Sequence, residues 1–236
     1  MTQQKKLILD IGCGANPWPI VRSFCLSNPD KYAPVITPII DEYVDLSSEN
    51  RFICLDKNAD SIQRAIERLK QLTEIGSTPK SVCINFVLGD GRKLCLPNQS
   101  VDIVIISGVF SAPPPGTTPR SEPYPQEICI SELTKWEITK EAFRVLKNRG
   151  VLIVIIQLTP CYALSIMERI EKELIAEGRL KLIKQCGRLI NSDDWHLYHA
   201  AFQKNPQTPL GTAEIIPWTP AQEKYIKDYA SSWVMY

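Results

Sequence analysis

The chain has 236 residues, and 27 lysines and arginines against 26 aspartates and glutamates leave a formal net charge of +1. This balance gives no electrostatic reason to expect nucleic acid or an anionic membrane as a partner. The eight cysteines include no C-x-x-C pair and no cluster with histidine, so neither a metal site nor a disulfide framework is expected. The amino terminus lacks the apolar segment of a signal peptide, which favours a cytoplasmic location.

Short apolar runs alternate with longer helical patterns along the first two thirds of the chain. Five runs are predicted to be strands buried on both faces, because each is rich in Ile, Val and Leu: 6–11, 51–56, 82–90, 101–107 and 151–158. Apolar residues at helical spacing predict a helix over 59–76, capped by Asn58 or Asp60, and another over 130–150. This alternation predicts a mostly parallel sheet with right-handed crossovers.

The last third of the chain has a different pattern. A helix is predicted at about 162–177, followed by two strand-like runs at 179–190 and 195–204 that flank a turn. These two runs are expected to form an antiparallel hairpin at the edge of the sheet. The predicted fold is therefore α/β and doubly wound, with a mostly parallel, seven-stranded sheet and an antiparallel edge hairpin near the carboxyl terminus.

Two segments do not fit the alternation, although the chain shows no clear domain boundary. Residues 20–50 separate the first two strands by more than a minimal crossover needs, and residues 112–125 hold six of the 18 prolines. The second segment is either a surface linker or a wall of the site, because it follows the fourth predicted strand. We expect a single domain over 1–236, with insertion or cap segments at 20–50 and 108–128.

A glycine-rich turn follows the first strand in LDIGCGANP, and the next two strands end in Asp56 and Asp90. Because the carboxyl ends of parallel strands meet at one edge of a sheet, these groups should share a crevice. An acid after the second strand is placed to accept from ribose hydroxyls, and one after the third from the adenine amine. Alternatively, Asp56 stabilises the start of the following helix and Asp90 is a turn residue. The pattern indicates a site for an adenosine moiety.

The residues around the glycines bear on whether the ligand carries phosphate. Pro17 stands where a dinucleotide-binding turn has its third glycine, and the lysine of a P-loop is absent. Asp10, directly before the turn, either satisfies backbone donors or faces a ligand, and it would repel a pyrophosphate. It suits a ligand with cationic groups. S-Adenosylmethionine is such a ligand, since it carries an ammonium and a sulfonium but no phosphate.

With these motifs, the chain resembles the class I, Rossmann-like S-adenosylmethionine-dependent methyltransferases over about residues 6–158. LDIGCGANP matches the first motif of that family, CLDKN its second-strand acid, LGDGRKLCLP its third motif and SVDIVIIS its fourth strand. EAFRVLKNRGVLIVII resembles the helix and fifth strand that follow. The resemblance implies methyl transfer, with S-adenosyl-L-methionine as the cofactor and S-adenosyl-L-homocysteine as its product.

The resemblance also implies a cofactor-binding role for eight residues. Gly12 and Gly14 would let the backbone approach the methionine portion, and Asp10 would help to anchor its ammonium. The others are Asp56 at the ribose, Asp90 and Gly91 at the adenine, and Ser107 and Gly108 near the methyl donor. Asp56 follows Gly14 by 42 residues, about twice the usual interval in the family, which leaves Asp45 as an alternative ribose acid.

Methyl transfer from a sulfonium is an in-line displacement that needs a base only if the acceptor must lose a proton. The candidates for such a base are His196, His199 and Tyr162; the two histidines are also compatible with surface positions on an edge strand. The segment after the fourth strand lacks the Asn/Asp-Pro-Pro-Tyr signature of many nucleic-acid methyltransferases, so we expect a small-molecule or peptide acceptor. The alternatives are a catalytically silent, cofactor-binding partner subunit and an NAD-dependent oxidoreductase.

Overall fold

A computed structural model of the protein describes residues 5–21, 38–44, 49–76, 82–110, 112, 115, 129–156, 161–186, 198–205, 213–217 and 220. Asp45 and His196 lie outside these ranges, as do most of the 20–50 and 108–128 segments. In chain order the described elements are β1 (Leu7–Ile11), α1 (Pro38–Tyr43), β2 (Arg51–Asp56), α2 (Ala59–Glu74), β3 (Cys83–Leu88), β4 (Val101–Ser107), α3 (Glu132–Val145), β5 (Leu146–Ile156), α4 (Cys161–Ile170), a π-helical segment (Glu171–Ile175), β6 (Leu180–Cys186), β7 (Tyr198–Lys204) and β8 (Glu214–Ile216).

All eight described strands form one sheet with the order β3-β2-β1-β4-β5-β7-β6-β8. Strands β1 to β5 pair in parallel, whereas β7 runs antiparallel to both of its neighbours, β5 and β6. This confirms the predicted doubly wound, mostly parallel sheet with an antiparallel hairpin. A short eighth strand, β8, adds to it by pairing in parallel with β6. The strand order reverses between β1 and β4, which is where open α/β sheets bind ligands.

Most of the predicted strands begin within two residues of the observed ones, but β5 begins at Leu146, five residues before the predicted start at 151. Asn58 caps α2, because its side chain accepts from the Ser61 N–H at 3.0 Å. Strand β3 is not buried on both faces as predicted: Val87 and Leu88 are 39% and 60% exposed, since β3 is the outermost strand. Helix α3 ends at Val145 instead of continuing to 150, because Leu146 already pairs with Val101 of β4.

The sheet is covered on both faces. One core cluster packs helices α3 and α4 against the sheet, and a second one lies under Trp18, α1 and α2. Ile39 and Ile40 of α1 are fully buried, and α1 packs against β6 and β7, on the far side of β4 and β5 from β1. The described helix of the 20–50 segment is therefore part of the core.

Candidate functional site

The carboxyl ends of four parallel strands bring the predicted site residues to one edge of the sheet. The turn after β1 is joined to β2, where the Gly12 N–H donates to the Leu55 carbonyl at 2.9 Å. The end of β2 is joined to the segment after β3 by the Gly89 N–H, which donates to the Asp56 carbonyl at 2.9 Å. Backbone hydrogen bonds between neighbouring strands thus hold this edge together without any contribution from side chains.

Gly12 and Gly14 both have positive φ angles, +71° and +57°, but they differ in what surrounds them. A Cβ on Gly12 would lie 2.3 Å from Val109 Cγ2 and 3.2 Å from the Ser107 carbonyl oxygen, so the turn packs directly on the end of β4. A Cβ on Gly14 would have no described residue within 4 Å. The first glycine is needed for packing, and the second leaves open space in which a ligand has access to the backbone.

Asp56 is the last residue of β2 and links the glycine turn to α2. Its Oδ2 accepts from the Gly14 N–H at 2.8 Å, and its Oδ1 accepts from the Asn58 N–H at 2.8 Å. The side chain is only partly buried, and each oxygen has lone-pair capacity left for another donor. Asp56 thus stands beside the glycine turn in spite of the long interval between them in sequence.

Asp10 is completely buried behind the turn. Its Oδ2 accepts from the Trp18 N–H at 3.1 Å, at the start of the helical residues 18–21. Its Oδ1 is buried with no hydrogen-bond partner among the described residues. Burial raises the pKa of Asp10 to about 7; the Trp18 N–H lowers it and the nearby Asp56 carboxylate raises it further. The Asp10 side chain therefore accepts a hydrogen bond from a backbone donor, as one of the two interpretations of the sequence predicted. Its other oxygen is left for a further donor.

The unusual pKa of Asp10 gives a pH prediction. Because the pKa of Asp10 in the folded protein lies above the ordinary value of an aspartate, the folded protein keeps a proton that the unfolded chain has lost. The free energy of unfolding should therefore fall as pH rises through about 7. Between pH 5 and pH 8 we expect the wild type to lose about 2–3 kcal/mol more than Asp10→Asn, measured by urea denaturation. Parallel pH profiles for the two proteins would contradict the assigned pKa.

Arg68 of α2 forms hydrogen bonds with Ala15 and Asn16, just before the position where a dinucleotide-binding turn has its third glycine. Its guanidinium donates to the Ala15 carbonyl at 2.9 Å and also to the side-chain oxygen of Asn16. The Pro17 carbonyl then accepts the first backbone hydrogen bonds of the helical residues 18–21. The sequence motif gave no sign of Arg68, because 53 residues separate it from Ala15.

Asp90 and Gly91 follow β3 at the same edge. The Asp90 carboxylate is partly exposed and pairs with Arg92, whose side-chain hydrogen bonds hold the pKa of Asp90 below its ordinary value. Gly91 is buried, and a Cβ there would lie 3.0 Å from Ile11 Cγ2. Asp90 is thus oriented both by its neighbour Arg92 and by a backbone that packs against the end of β1.

Ser107 ends β4 and Gly108 follows it, next to the glycine turn. Ser107 is the last residue of the strand and is partly buried, and Gly108 donates its N–H to the Ile155 carbonyl at 3.2 Å. The buried side chains of Val109 and Phe110 follow directly. The two residues therefore lie between the ends of β1 and β5, at the point where the strand order reverses.

The candidate bases are placed less favourably. His199 lies on β7, paired with Ile155 and Cys186, and it is 1% exposed, so the expectation of a surface residue is wrong. The reason is that β7 lies between β5 and β6 and is not an edge strand. Burial lowers the pKa of His199 to about 3, which makes it a weak base. Tyr162 lies in the first turn of α4, after the carboxyl end of β5.

Among the residues that the structure describes, no three His, Cys, Asp or Glu side chains form a group that could hold a metal ion. None of the described helices is long and apolar enough to cross a membrane.

Comparison with known proteins identifies the fold. A structure of an S-adenosylmethionine-dependent methyltransferase from Methanosarcina mazei aligns with 86% of this chain and 93% of its own, at 17% identity and a TM-score of 0.50. A Listeria monocytogenes protein, assigned to the class I S-adenosylmethionine-dependent methyltransferases, aligns with 98% of this chain and 64% of its own, at 12% identity and a TM-score of 0.55. No family model and no curated protein sequence matches the chain. The chain has the Rossmann-like fold of these methyltransferases.

Proposed function

We propose that the protein is a cytoplasmic methyltransferase that transfers a methyl group from S-adenosylmethionine to a small-molecule or peptide acceptor. The observation that carries the proposal is the arrangement of the turn and its acids. Gly14 presents a backbone position that no described residue covers, its N–H donates to Asp56, and the buried Asp10 interacts electrostatically with Asp56. Neutral glycines between two carboxylates favour a cationic ligand over a pyrophosphate.

The residues at this edge fit the parts of S-adenosylmethionine in order. The turn at Gly12 and Gly14 would hold the methionine portion. The Oδ1 of Asp10 has no hydrogen-bond partner among the described residues, and an ammonium beside it would favour the ionised form of that carboxyl. Asp56 would accept from the ribose hydroxyls with the lone pairs that its two backbone contacts leave. The remaining positions are Asp90 and Gly91 at the adenine and Ser107 and Gly108 near the methyl group. When bound, the cofactor supplies a methyl group activated by the sulfonium.

The protein's own contribution to the reaction would be alignment. Backbone hydrogen bonds fix the strand ends, and Arg68 and Asp56 fix the glycine turn between them. An in-line displacement gains rate chiefly from holding nucleophile, methyl carbon and sulfur in line. Of the candidate bases, His199 is buried with a low pKa, so we assign it no proton transfer. Tyr162 stays a prediction, and His196 lies outside the described residues.

A labelled-methyl assay tests this function. The protein would be incubated with S-adenosylmethionine carrying a labelled methyl group and with a panel of small amines, alcohols, thiols, carboxylates and peptides. We expect S-adenosylhomocysteine to form at a rate that depends on the acceptor. Cofactor binding without turnover on any acceptor would favour the silent partner subunit instead. A protein that binds neither S-adenosylmethionine nor S-adenosylhomocysteine would overturn the proposal.

A further inference from the structure

The Asp90 carboxylate is held by the side chain two residues after it. Arg92 Nε donates to Asp90 Oδ1 at 3.0 Å and to Oδ2 at 2.9 Å, and Nη2 donates to Oδ2 at 2.6 Å. The backbone N–H of Arg92 donates to Oδ1 at 2.9 Å. The guanidinium thus covers both carboxylate oxygens, one of which the amine of an adenine ring would need as its acceptor.

A second carboxylate lies within reach of the same guanidinium. Glu137 Oε2 of α3 is 4.0 Å from Nη1 of Arg92. The side chains of Arg92 and Asp90 are 46% and 43% exposed, and that of Glu137 is 37% exposed. Exposed ion pairs contribute little to stability, so little free energy opposes an exchange of partners. Arg92 therefore has two carboxylates available, one at the end of β3 and one on α3.

We propose that Arg92 competes with the adenine amine for Asp90, and that it transfers to Glu137 when the ligand binds. This inference rests on the proposed function and adds a residue that sets the affinity for the purine. A guanidinium has donors but no acceptor, so it has no hydrogen bond to offer the donor amine. The bidentate contact with Asp90 must open before the amine can take its place, whereas Glu137 can accept the displaced donors.

Calorimetric titration of Arg92→Gln with S-adenosylhomocysteine tests the competition. Removing the guanidinium should raise the affinity about two- to fivefold, the range of one exposed ion pair. Glu137→Gln should lower the affinity about twofold, because the displaced guanidinium loses its second acceptor. The double variant Arg92→Gln/Glu137→Gln should match Arg92→Gln alone, since Glu137 acts only through Arg92.

Arg179→Gln is the matched control. Arg179 is 48% exposed and pairs at 3.4 Å with Glu177, two residues before it. It directly precedes the first residue of β6, away from the carboxyl ends of the parallel strands where Asp90 lies. Its replacement should leave the affinity unchanged. A second control uses S-inosylhomocysteine, in which a carbonyl oxygen replaces the adenine amine. Arg92→Gln should not tighten binding of that ligand.

The outcomes separate this inference from the proposed function. If the wild type binds S-adenosylhomocysteine and Arg92→Gln binds it no more tightly, the competition at Asp90 is wrong and the cofactor site stands. An equal gain for the adenine and inosine ligands would also contradict it, because the effect would then not depend on the amine. If the wild type does not bind S-adenosylhomocysteine at all, the proposed function itself fails.

Discussion

Replacing Asp56 with alanine is expected to lower the affinity for S-adenosylhomocysteine by about 2–4 kcal/mol, or roughly 30- to 1,000-fold. The change removes the proposed acceptor for the ribose hydroxyls. It also removes the acceptor of the Gly14 and Asn58 N–H groups, so the turn loses its link to β2. Isothermal titration calorimetry on the folded variant measures the effect, and circular dichroism checks the fold.

Asp60→Ala is the control for this change. Asp60 is an exposed acid in the first turn of α2, only four residues further along the chain. Its loss should leave the affinity within about twofold, the size of a screened surface charge effect. Unchanged binding by Asp56→Ala would move the ribose role to another acid, with Asp45 the first to test. An equal loss in both variants would point to the charge near α2 and not to a ribose contact.

Replacing Gly12 with alanine is expected to lower the free energy of unfolding by about 2–4 kcal/mol. The new Cβ would lie 2.3 Å from Val109 Cγ2, and the backbone has a φ of +71°, which side-chain-bearing residues rarely adopt. Both the clash and the strain act on the turn that joins β1 to the end of β4. Urea denaturation monitored by tryptophan fluorescence measures the loss.

Gly14→Ala separates the two causes. Its φ is +57°, but a Cβ there would meet no atom of the described part of the chain within 4 Å, so the backbone strain remains, about 1–2 kcal/mol. We expect Gly14→Ala to weaken ligand binding more than it lowers stability, because its Cβ enters the open space. Adding Val109→Ala to Gly12→Ala should restore part of the stability. A Gly12→Ala protein as stable as Gly14→Ala would contradict the close packing of the turn on β4.

Local patterns in the sequence were sufficient to predict the strands that line the site. The runs 51–56 and 101–107 match β2 and β4 because each is mostly apolar and ends in a polar residue. The cap at Asn58 follows from local chemistry as well. Since parallel strands end at a common edge, the shared edge of the glycine turn, Asp56 and Asp90 could also be predicted. These features depend only on short-range sequence and on the geometry of parallel strands.

The features that the sequence did not predict depend on distant partners. The end of α3 is set by the pairing of Leu146 with Val101, 45 residues away, and not by helix propensity. The burial of His199 follows from the position of β7 between two strands. The spacing of apolar residues in the sequence does not indicate that position. The contact of Arg68 with the turn joins residues with no motif in common. Such contacts belong to the tertiary structure and leave no periodic pattern.

If the proposed function is correct, the glycine turn and its acids bind S-adenosylmethionine and its product instead of a dinucleotide. Parallel calorimetric titrations of the wild type with S-adenosylhomocysteine and with NAD test this most directly. We predict one binding site for S-adenosylhomocysteine, with a dissociation constant in the micromolar range, and much weaker binding of NAD. Tighter binding of NAD than of S-adenosylhomocysteine would contradict the account.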